Sequence, residues 1–192
     1  LFDQLKSDFK GTLKRGSMKN MRNSHCDETF SGNIAGALGK GLIAGLIGTI
    51  AITISQMVEM KVTDRKPSST PRQAAEKVFG VTARDELSAG QLNNFMHFSY
   101  GTSLGVIRGL LVLCGLKGIL GTLVHITAVQ SLAITLLPKM KLAPPVREWG
   151  AKAIMTELMH HGIYGFAAGI AYDFMNRCRK KGNHFSDDTR CL

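Results

Sequence analysis

Residues 41–58 read GLIAGLIGTIAITISQMV, 18 residues without a charge, bracketed by Lys40 and Glu59. As a helix they extend roughly 27 Å at about 1.5 Å per residue, close to the hydrocarbon thickness of about 30 Å. This stretch sets the fold class. A soluble helix of this length would show a charged face, and this one has none.

Three further apolar stretches follow. Span one is expected over 36–58, span two over 93–116, span three over 118–137 and span four over 153–174. Span two carries His97 and Arg108, and span four opens with Glu157, His160 and His161. Only Gly115–Gly118 separates spans two and three, so the two form an antiparallel hairpin. The expected fold is therefore an all-α integral membrane protein of about four transmembrane helices. The expected organisation is a polar basic tail over 1–35, a membrane domain over 36–175 and a basic tail over 176–192.

The connections have their own signals. In 61–92, Thr70-Pro71-Arg72-Gln73 reads as a helix start, with Thr70 as N-cap, Pro71 first in the helix and Gln73 as capping-box partner. This short extra helix ends near Phe79, before Gly80. Between spans three and four, Pro144-Pro145 precedes Trp149, the sole tryptophan, a residue suited to the membrane boundary. In the N-terminal tail, Leu1, Phe2, Leu5, Phe9 and Leu13 alternate with Lys6, Lys10, Lys14 and Arg15, a pattern for an interfacial helix or a free tail. Residues 16–33 read as a linker.

Mean hydropathy is only +0.04 because charges gather in the tails and connections. The net charge of +10 flanks apolar segments and forms no stripe, so it points to lipid phosphates rather than nucleic acid. The cluster Arg177, Arg179, Lys180 and Lys181 is the densest and suits a lipid-phosphate anchor. Of the four cysteines, Cys114 sits in an apolar segment, and Cys26, Cys178 and Cys191 lie in the tails with no CxxC spacing. The two tails and the tight turn share one side and hold slightly more Lys and Arg than the other, which favours cytoplasmic termini.

Glycine is abundant, 21 in all, and recurs every fourth residue inside the spans: Gly41 and Gly45, Gly101, Gly105 and Gly109, Gly165 and Gly169. Such faces let membrane helices come close, within one bundle or against a partner subunit.

Ionisable groups inside a span are functional candidates. Counting along the spans brings Gln56, Glu59, His97, Glu157, His160 and His161 to one level. Arg108 and His125 fall at the opposite level and are expected to be neighbours. The first group has three readings. It cross-links helices; it handles protons, since His titrates near neutrality; or it binds a transition metal, since Glu157-x-x-His160 has the spacing used in di-iron bundles, with Glu59 and His97 as further ligands. There is no P-loop, GxSxG, HExxH or dinucleotide fingerprint, and no cofactor is expected beyond lipids and that metal.

Gly41–Gly48, Arg65-Lys66-Pro67-Ser68, His97 before Tyr100-Gly101, Arg108-Gly109, Pro144-Pro145 and His160-His161-x-x-Tyr164-Gly165 together resemble small uncharacterised bacterial inner-membrane proteins of the YagU-like kind, over about 36–175. The resemblance implies a multi-pass protein of the bacterial inner membrane and transfers no catalytic residue. The expected role is a non-catalytic accessory or scaffold subunit of a larger membrane complex. The alternatives are a small proton-coupled transporter and a metal-binding membrane enzyme.

Overall fold

A computed structural model describes the backbone of residues 2–188 and the side chains of residues 30–177. The described chain is helical throughout, with no strand. Helix α1 is Phe2–Thr63, α2 Thr70–Phe79, α3 Glu86–Leu113, α4 Gly118–Lys139 and α5 Ala151–Asp188, with a 3-10 turn at Val146–Glu148. The chain divides into two compact units, Leu1–Gly36 and Ala37–Leu192, and the helix bundle described below lies in the second.

Among the described residues, two helices are long and apolar enough to cross a membrane, Phe30–Thr63 within α1 and Gly118–Lys139. Helices α3 and α5 have the length, but Arg108 interrupts one apolar run and Glu157, His160 and His161 the other.

Several boundaries differ from expectation. Helix α1 takes in 16–33, read as a linker from its Gly, Ser and Asn; that stretch has no proline to stop a helix. Helix α4 runs one residue past Pro138, because a proline disturbs the turn before it and this one sits in the last turn. Helix α5 continues beyond 175 to Asp188. The side chains of the N-terminal amphipathic pattern, of Cys26, Cys178 and Cys191, and of Arg179, Lys180 and Lys181 lie outside the described residues.

Helix α2 starts one residue earlier than its sequence signal. Ser69 is the N-cap and Thr70 the first helical residue. The reason is local: Gln73 Nε2 donates to Ser69 Oγ at 2.8 Å. The helix ends at Phe79, with Gly80 in the left-handed region (φ 65°) and its N–H on Glu76 O. Helix α3 starts at Asp85, whose carboxylate accepts the Ser88 N–H at 2.7 Å. That hydrogen bond, with a second from the Ser88 side chain, holds the Asp85 carboxyl below its ordinary range.

The α3–α4 hairpin turns on Gly115 (φ 87°), with Leu116 N–H on Leu111 O at 2.8 Å and Gly115 N–H on Val112 O at 3.0 Å. This pairing closes the helix and only a residue tolerant of positive φ completes it.

Within Ala37–Leu192, α1 and α3 run antiparallel and touch once per turn. Ala37 meets Gly109, Gly41 and Gly45 meet Gly105, Thr49 meets Gly101, and Thr53 meets His97. A Cβ built on Gly41 would lie 2.6 Å from Gly105 O, and one on Gly109 2.5 Å from Ala37 O. Backbone therefore packs on backbone along this seam. Helices α4 and α5 make the matching contact, with Gly165 under Ile126 and Gly169 under Thr122. Helix α5 also closes on α1, where Gly48 accepts the Tyr164 ring and Lys40 Nζ donates to Asn176 Oδ1 at 2.5 Å.

The distribution of side chains inverts that of a soluble bundle. The buried positions include Thr49, Arg108, Thr122, His125 and His160, among alanines, glycines and two tyrosines. Ile52, Leu104 and Val129 are buried with Tyr164, but most large aliphatics point outward, among them Ile43, Ile54, Leu110, Leu123 and Ile170.

Candidate functional site

Two polar layers cross the interior of the bundle. The first lies where α1 ends and α3 and α5 begin. Glu59 accepts two hydrogen bonds from Arg65, from Nε at 2.9 Å and from an Nη at 2.7 Å, and a third from Thr63 Oγ1 at 3.0 Å. Its other neighbour is His160, whose Nε2 stands 3.9 Å from the carboxylate. That is within ion-pair reach and beyond hydrogen-bond length. His160 Nδ1 is 3.0 Å from Ser55 Oγ. His97 Nε2 is 3.2 Å from Thr53 Oγ1, and Thr53 Oγ1 donates to Thr49 O, so toward His97 this hydroxyl acts as acceptor.

Glu157 turns away from His160. Its carboxylate lies 3.2 Å from His161 Nδ1, and that same nitrogen is 3.1 Å from Glu157 O. Two i, i+3/i+4 options were open on this helix face. The i+4 partner takes the carboxylate because His160 points inward, 2% exposed, to Ser55 and Glu59. Among the described residues, no hydrogen bond joins Gln56 to this layer. Among the described residues, no three His, Cys, Asp or Glu side chains are grouped to hold one metal ion.

The second layer lies toward the α3–α4 turn. Arg108 is fully buried, and one of its Nη atoms donates to Asp173 Oδ1 at 2.8 Å. The guanidinium also reaches Leu116 O at 3.3 Å and Gly118 O at 3.4 Å, and lies over the Tyr172 ring, 5.1 Å from its centre. Arg108 thereby ties α3 to α5 and to the turn that opens α4. His125, also fully buried, stands 3.2 Å from Leu104 O through Nε2. A carbonyl only accepts, so Nε2 carries the proton and Nδ1 a lone pair. His125 and Arg108 share the layer, as expected, without bonding to each other; the acid that Arg108 bonds is Asp173.

Between the layers, Tyr164 spans the bundle. Its hydroxyl donates to Gly101 O at 2.7 Å and its ring lies 5.7 Å from that of His125.

Four buried side-chain atoms make no hydrogen bond among the described residues: Arg108 Nε, His125 Nδ1, Gln130 Oε1 and His160 Nε2. Such atoms are costly inside a bundle unless something meets them. His125 Nδ1 is able to accept a proton or a water hydrogen, and His160 Nε2 is so when its Nδ1 donates to Ser55 Oγ.

Sequence reasoning missed Asp173, Arg65, Ser55 and Thr53. For Asp173 a signal existed. It lies at the end of the fourth expected span that returns to the level of Arg108, and a buried arginine calls for a charged or carbonyl partner. Comparison with family models, curated proteins and solved structures found no match to this chain.

Proposed function

We propose that the chain is a four-span integral membrane protein that acts as a non-catalytic subunit, packing its exposed face against a larger membrane partner. The four-span reading is supported by the inverted distribution of side chains. On α3 and α5, as on α1 and α4, large aliphatics such as Leu113, Leu158 and Ile163 face outward while Arg108 and His160 face in. A soluble monomer rarely exposes apolar patches beyond a few hundred Å². The resemblance to bacterial inner-membrane proteins and the slight excess of basic residues on one side favour that membrane with cytoplasmic termini.

The observation that carries the subunit reading is the outer face of α4. Thr127, Ser131 and Thr135 are exposed at successive turns. Thr127 and Thr135 return their hydroxyls to Leu123 O and Ser131 O of the same helix. A row of small residues, its flanking hydroxyls internally satisfied, leaves a shallow track in which another membrane helix gains close packing.

The test is purification in mild detergent of wild-type chain and of Ser131→Leu. A partner held in fixed ratio by the wild type and lost from the folded variant supports the reading. Isolation of the wild type alone as a stable, folded protein removes it.

A second reading, proton coupling, is favoured by His160 Nε2, buried without a hydrogen-bond partner 3.9 Å from Glu59. Its test is proton flux into liposomes carrying the chain. Flux lost in His160→Phe supports it, and flux equal to that of empty liposomes removes it.

A further inference from the structure

Helices α2 and α3 enclose an apolar groove of about 380 Å³, lined by Ala75, Phe79 and Val81 on one side and Leu92, Phe95 and Met96 on the other, with Ser99 at its inner end. We infer that this groove is a binding site for the acyl chain of an acidic phospholipid, with Arg84 at the headgroup. The inference rests on the membrane reading above and adds to it a defined lipid class at a defined place.

Three observations carry it. First, the groove is held open by polar contacts outside it. The Arg72 N–H donates to Asn93 Oδ1 at 3.1 Å, and Asn93 Nδ2 donates to Ser68 O at 3.0 Å, fixing α2 against α3. Lys77 Nζ reaches Met140 O at 2.5 Å, tying the other end of α2 to the connection that follows α4. These contacts hold both ends of α2 in place.

Second, the groove is continuous with the lipid-facing shell. Phe79 and Phe95 are 66% and 67% exposed at its mouth, and Val78 and Leu87 are exposed beside it. From Leu92 to Ser99 the floor follows α3 for roughly 10 Å. Ser99 lies two residues beyond His97, which faces the interior of the bundle, so the groove leads from the α2 level into the span. A chain lying in it meets carbon almost throughout.

Third, a cation follows closely in the chain on the groove-lining Val81. Arg84 is three residues beyond Val81, is exposed, and makes no ion pair or hydrogen bond among the described residues. The two cations of α2 itself are engaged, Arg72 with Glu76 and Lys77 with Met140 O. Arg84 is thus a cation open to a phosphate next in the chain to the groove lining, and acidic lipids are drawn to such residues at the membrane surface.

The test uses tryptophan reporters and lipids brominated on the acyl chain. The full chain, with Trp149→Phe, is placed in vesicles of phosphatidylcholine in which either brominated phosphatidylcholine or brominated phosphatidylglycerol forms the same fraction. One reporter is Phe79→Trp, in the groove; the other is Phe166→Trp, on the outer face of α5. Both lipids quench the reporter at position 166 equally, while phosphatidylglycerol quenches position 79 more strongly. Adding Arg84→Gln removes that preference, a change of about fivefold in relative association for one arginine near an anionic surface. Equal quenching by both lipids at position 79 overturns the inference. So does a position 79 quenched by neither, which would mean that protein covers the groove. If position 166 is quenched by neither, the membrane reading itself fails.

Discussion

Replacing Asp173 by asparagine separates a structural ion pair from a decorative one. Arg108 is fully buried and, among the described residues, Asp173 Oδ1 is its only anionic contact, at 2.8 Å, from a side chain 26% exposed. Removing one partner of a buried pair costs about 3–5 kcal/mol, since the remaining charge is left uncompensated. Here Arg108 retains two carbonyl contacts, at 3.3 and 3.4 Å, and the Tyr172 face at 5.1 Å. Those contacts hold the expected loss for Asp173→Asn to about 3 kcal/mol, the low end of that range. The assay is reversible unfolding in mixed micelles of mild detergent and sodium dodecyl sulfate, followed by helical circular dichroism. The double variant Arg108→Met with Asp173→Leu removes both charges. It recovers most of the loss, because apolar replacements for a buried pair are often neutral or better. A loss for Asp173→Asn below about 0.5 kcal/mol, the range of ordinary surface changes, would refute the claim that Arg108 depends on this carboxylate.

Two further changes test the packing and the capping. A methyl at Gly105 would overlap Gly41 O and come within 2.6 Å of Gly45 Cα, both backbone atoms, so Gly105→Ala is expected to cost about 1–3 kcal/mol by forcing α1 and α3 apart. Gly162→Ala, where a Cβ meets nothing within 4 Å, is the matched control; equal stability of the two variants in the same unfolding assay would show that the seam is loose. At Asp85 the folded carboxyl titrates below its unfolded value, so its contribution is complete above the unfolded pKa of about 3.9 and disappears as pH falls through the folded one. Amide exchange in the first turn of α3 is therefore expected to accelerate on acidification relative to Asp85→Asn, whose cap does not titrate, and an exchange ratio independent of pH would contradict this.

What the sequence made legible was what local chemistry decides. The α3–α4 hairpin follows from Gly115–Gly118, and α2 from Thr70-Pro71 and Gly80. Even there the start shifts by one residue, because Gln73 reaches the Ser69 hydroxyl. Counting residues from span ends ordered the polar groups by depth, and His160 does stand near Glu59. The choice of partner was not legible. Glu157 had two histidines on one helix face, and the inward turn of His160 toward Ser55 decided between them. Arg108 and His125 do share a layer, but Arg108 bonds Asp173 on α5, while His125 goes to Leu104 O. Those outcomes depend on which helices are neighbours, information that periodicity along a single helix does not contain.

The central claim is that α3 and α5 cross the membrane as α1 and α4 do, and side-resolved cysteine labelling tests it most directly. In a chain freed of its other cysteines, Ser69→Cys, Lys117→Cys and Arg147→Cys are each exposed to a membrane-impermeant maleimide from one side of sealed vesicles. Four crossings predict that positions 69 and 147 label from the same side and position 117 from the opposite one. If only α1 and α4 cross, position 117 labels together with position 69 and position 147 from the other side, and that result would contradict the four-span account.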